Sequence, residues 1–450
     1  MEPPSSSLFP ATDKSAWQAQ VQKELKTEGA YETLRWHTDE GFTLEPYYTA
    51  ADLSDLPLAT IQEAQKQVPG WLTAPERFIA NEKADNIRLR DTLTRGADAL
   101  VLTLAKGPDL MPLLNGIKLS ETPVFFRLSA ETGGINWVDL IRSLKTVAPY
   151  QLKGGLLTNT DITTAEVTRL TADSPQFRTV CASSHDFHNA GATATQELAF
   201  TLASLADSYD LLTNEGLTID QLIPKTIISL SVGTSYFLEI AKLRALRVLF
   251  SRFITHYPLS SSHYPVVIHA QTSTFYDTTA TPYTNLLRAT TESMAAVIGG
   301  CDVLTIHPYD TVLGRSAEMT DQEKANRDFS ERIARNVSLL LKDESYLDRV
   351  ADPSAGSYYI ENLTQQLTET AWTLFLDVEQ QGGFAKALAS GFISTELEQA
   401  YQAKVEAVRN GKVLVGVTKF RSDEPGDQPY KGSEHKEGLL PNQRLAQAFE

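Results

Sequence analysis

The chain has 450 residues, 42% of them hydrophobic, enough for one large domain with attachments or for two or three smaller ones. Lys and Arg number 40 against 56 Asp and Glu, and the formal net charge of −16 sets up an overall field that repels nucleic acid and anionic lipid. Cys181 and Cys301 both lie in apolar runs without Cys-x-x-Cys spacing, which argues against a disulfide framework and fits a reducing cytoplasm.

The first residues, Met1-Glu2-Pro3-Pro4, lack the basic start and apolar core of a secretory leader, and no stretch reaches the roughly 18 apolar residues of a membrane span. A soluble cytoplasmic protein is expected. Residues 1–10 are rich in Pro and Ser, and 14–27 carry Trp17, Val21 and Leu25 at i, i+4 and i+8, the stripe of an amphipathic helix. Residues 31–56 predict an extended, hairpin-like arm turning at Glu40-Gly41. A stripe and an apolar arm need something to cover them. Residues 1–79 are therefore expected to wrap a partner through Trp17, Leu25, Leu34 and Trp36, the alternative being that they pack on their own domain.

From residue 80 to 410, apolar runs at 99–104, 124–128, 155–157, 179–182, 227–232, 266–271, 303–306 and 357–360 alternate with helical patterns. Near-continuous apolar strands between amphipathic helices indicate a parallel sheet covered by helices. Eight such units predict an α/β fold, a (β/α)8 TIM barrel with its working face at the strand C-terminal ends, followed by C-terminal helices; a doubly wound open sheet is the alternative. Phe125, Leu128, Leu230 and Ile268 are candidates to plug the barrel axis. Gly133-Gly134, Gly154-Gly155 and Gly299-Gly300 match no phosphate-binding pattern and predict turns. Residues 411–450 form a linker and tail, richest in Pro, Gly and charge over 422–438.

The run Ser183-Ser184-His185-Asp186-Phe187-His188-Asn189-Ala190-Gly191-Ala192-Thr193 stands where an apolar strand meets a polar elbow and then a helix. It resembles the strand-four segment of the cobalamin-dependent acyl-CoA mutases, the methylmalonyl-CoA mutase family, whose catalytic chains carry Ser-Gly-Tyr-His-x-x-Glu-Ala-Gly-Ala-Thr. The resemblance extends along the chain. His269-Ala270-Gln271-Thr272-Ser273 is similar to the family's strand-six His-Cys-Gln-Thr-Ser, and Pro282-Tyr283-x-Asn285, Arg288 to Gly300, and Asp352-Pro353-Ser354-Ala355-Gly356 follow in the family's order. The resemblance implies a barrel that encloses acyl-CoA along its axis and presents it to adenosylcobalamin.

The departures fall on chemistry. Asp186 stands in place of the family's catalytic histidine, and a carboxylate at neutral pH accepts hydrogen bonds where a thioester oxygen needs a donor. Thr158 replaces a glutamine, Val267 an arginine, and Val68 to Pro75 replace the tyrosine-bearing stretch ahead of the barrel. Fixed donors control a bound radical, and these are lost. His185, His269 and Gln271 are the candidates left for any remaining chemistry. The cobalt-ligating Asp-x-His-x-x-Gly motif is absent, so no cobalamin-binding domain and no cofactor are expected in this chain.

The resemblance then implies a noncatalytic small subunit of a heterodimeric mutase, supporting a large catalytic subunit that binds adenosylcobalamin and interconverts methylmalonyl-CoA and succinyl-CoA. Two alternatives stay open. One is a working mutase chain served by a separate cobalamin domain, with His185 or Asp186 as its acid. The other is a metal-dependent barrel hydrolase using His185, Asp186, His188, His269, His307 and Asp310. Cys181, inside an apolar strand, is not expected to act as a nucleophile.

Overall fold

In the computed structural model, which describes residues 12–27, 29–105, 107–128, 135–158, 165–259, 265–314, 321–421 and 440–450, eight parallel strands close on themselves. They are β1 (Leu72–Thr73 and Glu76–Ile79), β2 (Leu100–Leu104), β3 (Val124–Leu128), β4 (Gly154–Leu156), β5 (Phe177–Arg178 and Val180–Ser183), β6 (Thr226–Val232), β7 (Val267–Thr272) and β8 (Val303–Thr305). β1 pairs with β8 through Thr73↔Leu304 and with β2 through Glu76↔Val101. β5 likewise joins β4 through Gly155↔Arg178 and β6 through Cys181↔Ile227. The circuit is a (β/α)8 barrel, and the open doubly wound sheet is excluded.

Two expectations need correction. The eighth strand placed at 357–360 is a helix start, where the Ser357 hydroxyl accepts from the Ile360 amide and caps Tyr358–Gln380. The strand that closes the barrel is β1, inside the segment assigned to the arm. Pro75, Glu76 and Arg77 interrupt its apolar character and conceal it, so the boundary at 79/80 cuts through the barrel and every strand counted from sequence moves up by one.

The helices include, in chain order, α1 (Lys14–Leu25), α2 (Glu82–Thr94), α3 (Trp137–Val147), α4 (Ala165–Leu170), α5 (Ala194–Asn214), α6 (Tyr236–Ile254), α7 (Pro282–Ile298), α8 (Asp321–Leu339), α9 (Tyr358–Gln380), α10 (Phe384–Ala389) and α11 (Phe392–Arg409). α9 buries Ile360, Leu363, Leu367, Ala371, Phe375 and Val378, one apolar stripe at helical spacing, against the layer formed by α5 and α6. Arg244 of α6 is buried and reaches Glu361 of α9 at 2.7 Å and also Asp352, so a paired charge ties the two helices together.

The barrel interior has two layers. Toward the strand N-termini, Ala74, Ala99, Val101, Phe125, Leu157, Cys181, Ile227 and Val303 fill the axis, joined by Leu72 and Val267. Phe125 is thus a plug residue, as expected, but Leu230 and Ile268 face the helices and Leu128 packs in the core under α3. Strand side chains alternate, so Ile227 and Ser229 inward put Leu230 outward, whatever its bulk. The Gly154-Gly155 pair lies in β4 rather than in a turn: a Cβ on Gly154 would sit 2.0 Å from the Val124 carbonyl oxygen, so only glycine fits. The pair at 133–134 lies outside the described residues.

The arm forms the expected hairpin, Trp36↔Leu44, turning at Glu40-Gly41. Glu40 is buried and accepts the amides of Ala194 (3.0 Å) and Thr195 (2.7 Å) at the start of α5, and Leu44 enters the main core. α1, capped by Asp13, contributes no buried residue. At the other end, residues 440–450 dock on the barrel's C-terminal face. The Gln443 amide reaches the Asn189 carbonyl, the Leu445 amide that of Phe275, and Glu450 accepts from Thr278 and Thr279 and pairs with Arg444 at 2.9 Å. The predicted linker at 422–438 lies outside the described residues.

Candidate functional site

β5 ends at Ser183, and the chain turns at once into a short helix, His185–Asn189, whose first residue is aimed back over the barrel. There His185 Nε2 lies 2.7 Å from Ser229 Oγ and Nδ1 2.7 Å from Ser231 Oγ. Ser229 Oγ is also 2.7 Å from His269 Nδ1, and His269 Nε2 is 2.9 Å from Thr305 Oγ1. The Thr305 hydroxyl donates to the Ala74 carbonyl at 2.7 Å.

That last bond sets the direction of the whole chain. With its proton given to Ala74, Thr305 can only accept from His269 Nε2–H, so His269 Nδ1 accepts from the Ser229 hydroxyl. Ser229 then accepts from His185 Nε2–H, and Ser231 donates to His185 Nδ1. Each imidazole is a neutral tautomer with both nitrogens used. The electrostatics agree: burial, and after it the charge of Arg127, holds His185 well below the usual histidine range and His269 down to about 3.

Beside this chain, Arg127 of β3 donates to Gln271 Oε1 at 2.8 Å and lies 3.4 Å from Glu76 Oε1, which also accepts from the Thr103 hydroxyl. His307 Nδ1 is 3.8 Å from Glu76 Oε2. Arg127 Nη2 is withdrawn from solvent without a hydrogen-bond partner.

Of the residues singled out from sequence, His185, His269 and Gln271 do converge on the axis. Asp186, next to His185, is solvent-exposed, and Thr158 lies at the mouth beyond β4. Val267 sits one layer below His269 against the apolar plug. Glu76, Thr103, Arg127, Ser229, Ser231 and Thr305 were not anticipated. A signal existed: each is a polar residue at the inward phase of an otherwise apolar strand.

His188, three residues after His185, points the other way, into the layer between barrel and helices. Its ring nitrogens lie 2.8 Å from Glu197 Oε1 and 2.6 Å from Ser273 Oγ. Glu197 also accepts from Ser184 (2.8 Å) and Lys242 (3.1 Å), and Lys242 pairs with Glu239 at 2.7 Å. Against its burial, Lys242 and His188 hold the Glu197 carboxyl down to about 2. Among the described residues no three His, Cys, Asp or Glu side chains are grouped to hold a metal ion. Burial pushes the Cys181 thiol up to about 12, which keeps it from acting as a thiolate.

In the arm, Trp17 packs with Tyr47 and Tyr31, ring centroids 4.9 and 6.4 Å away, and Leu25 is half-buried. Leu34 and Trp36 are 41% and 47% exposed.

A family model described as methylmalonyl-CoA mutase matches residues 150–446. The chain is 32% identical to the methylmalonyl-CoA mutase small subunit of Porphyromonas gingivalis over 92% of this chain and 70% of that one. It is 30% identical to methylmalonyl-CoA mutase of Rhizobium meliloti and 28% identical to the mitochondrial enzyme of Bos taurus, over 92% and 90% of this chain. Of those two relatives it spans only 64% and 60% of the length. A barrel with the family's motifs on its C-terminal face, matched over most of its length, leads to one assignment: the chain belongs to the methylmalonyl-CoA mutase family.

Proposed function

We propose that this chain is the noncatalytic small subunit of a heterodimeric, cytoplasmic mutase. Its large partner would carry adenosylcobalamin and the radical isomerisation of methylmalonyl-CoA and succinyl-CoA. The observation that carries this reading is the state of the axis. Where an acyl-CoA would lie, an apolar plug fills one half, and in the other His185 and His269 spend both ring nitrogens on Ser231, Ser229 and Thr305. A residue with no free donor cannot polarise a thioester. His185, His188 and His269, each bonded through both nitrogens, do not fit the role of a cobalt ligand, so no chemical step is assigned here to cobalamin on this chain. Among the described residues no helix is long and apolar enough to cross a membrane.

The arm is the partner-facing element in this proposal. Leu34 and Trp36 are exposed, α1 has no fully buried residue, and Trp17 braces the arm through Tyr47. Calorimetry of the isolated chain with methylmalonyl-CoA, succinyl-CoA and adenosylcobalamin tests the reading: no heat of binding is expected, and micromolar binding of either kind of ligand overturns it. One observation favours a working active site instead. The unpartnered Nη2 of Arg127 at the barrel mouth would suit the free carboxylate of such an acyl group. In that case the CoA esters bind, and Arg127→Gln abolishes the heat.

A further inference from the structure

Outside the barrel wall, α2 and α8 leave a cleft between them whose floor is the outward face of β1, β2 and β8. Its polar lining is Thr73, Glu76, Arg77, Thr92, Glu331, Arg335 and Ser338. We propose that this cleft is a binding site for a small oxyanion, a carboxylate or an inorganic phosphate, seated on the Arg335 guanidinium and the Thr92 hydroxyl.

Four observations carry it. Arg335 makes no hydrogen bond or ion pair among the described residues, and its Nε is withdrawn from solvent without an acceptor. The acids nearby are already committed: Glu331 to Arg77 at 2.5 Å and to Arg327 at 3.1 Å, Asp91 to Arg95 at 2.7 Å, and Glu76, on the far side of β1, to Arg127 at 3.4 Å and the Thr103 hydroxyl. Ser338 takes the Trp71 indole N–H at 2.9 Å and bonds Thr73 at 2.8 Å, whereas the Thr92 hydroxyl has no partner among the described residues. The cavity volume is about 30 Å3, space for about two waters or the head of a small oxyanion, and too little for a nucleotide.

A guanidinium N–H withdrawn from water is costly unless an acceptor meets it, and parallel guanidinium N–H groups match the two oxygens of a carboxylate or phosphate. Burial, followed by the like charge of Arg95, presses on the protonated form of Arg335, and an anion would relieve both. The neighbouring residues explain why the seat is selective for a small ion. Leu89, Leu100, Leu304 and Ile306 wall it with apolar surface. Because these side chains lie outside the barrel, the proposal does not depend on whether the axis binds acyl-CoA.

Thermal unfolding of the whole chain in sodium chloride, sodium acetate, sodium formate and sodium phosphate at matched ionic strength tests it. The wild type is expected to gain several degrees, saturably, in acetate and formate, in phosphate, or in both, over chloride. Arg335→Gln should erase the gain, Arg335→Lys should keep part of it, and Thr92→Val should weaken the midpoint concentration about tenfold, the worth of one hydrogen bond to an ion. Equal melting in all salts, or an undiminished gain in Arg335→Gln, overturns the site. If Arg335→Gln fails to fold, an unchanged midpoint in Thr92→Val does so.

Discussion

His185 and His188 sit three residues apart on one short helix and end in opposite worlds. His185 joins a line of hydroxyls on the barrel axis, where burial and the charge of Arg127 both oppose its protonation. His188 joins Glu197, Lys242 and Glu239 in the layer behind the wall, where charges are buried but paired. The same side chain is thus a neutral connector between hydroxyls in one place and the partner of a buried carboxylate in the other. Burial alone does not decide its role; the neighbours do.

The contrast predicts unequal costs. Lys242→Met strands two buried carboxylates, and urea denaturation should register a loss of about 3–5 kcal/mol, as for breaking one partner out of a buried pair. A loss below about 1 kcal/mol would mean that the network is not ionic. Ser229→Ala interrupts the axial chain in its middle, leaving His185 Nε2–H and His269 Nδ1 unmatched, at about 1–3 kcal/mol. An unchanged midpoint there would show the hydroxyl line to be dispensable.

Acid should separate the two networks further. His269 binds its proton with a pKa of about 3 in the folded chain and about 6.5 when unfolded, so the unfolded state takes up more protons between those values. Stability contributed by the neutral ring is complete above pH 6.5 and is lost as pH falls toward 3. His269→Gln should flatten the stability profile across that window by up to about 1.4 kcal/mol per pH unit, and a slope identical to wild type would refute a neutral, buried His269. Trp36→Ala touches neither network. It should shift stability by less than about 0.5 kcal/mol while weakening co-purification with the proposed large subunit, and full retention of that complex would remove Trp36 from the proposed interface.

Much of this architecture was legible from residue patterns, for identifiable reasons. The runs at 99–104, 124–128 and 227–232 are apolar toward the helices and, at Ala99, Val101, Phe125 and Ile227, toward the plug, and such strands announce themselves. β1 did not, since Pro75 and the inward Glu76 break the run and its pairing is split between two neighbours. The motif at 183–193 falls at the C-terminal ends of the barrel strands. It could not tell which histidine turns inward, because that depends on one helical turn, nor that Arg127 and Glu76 complete the cluster, because they come from strands far apart in the chain.

Glu40 has a further use. Its carboxylate holds the amides of Ala194 and Thr195 from a distance of more than 150 residues along the chain. Those two amides should therefore resist deuterium exchange only while the arm is seated, and they report its seating at the very start of the helix that follows the family's motif. A peptide spanning that helix start becomes a built-in isotope clock for the arm, one that reads its lift-off without a dye, a partner or a substitution.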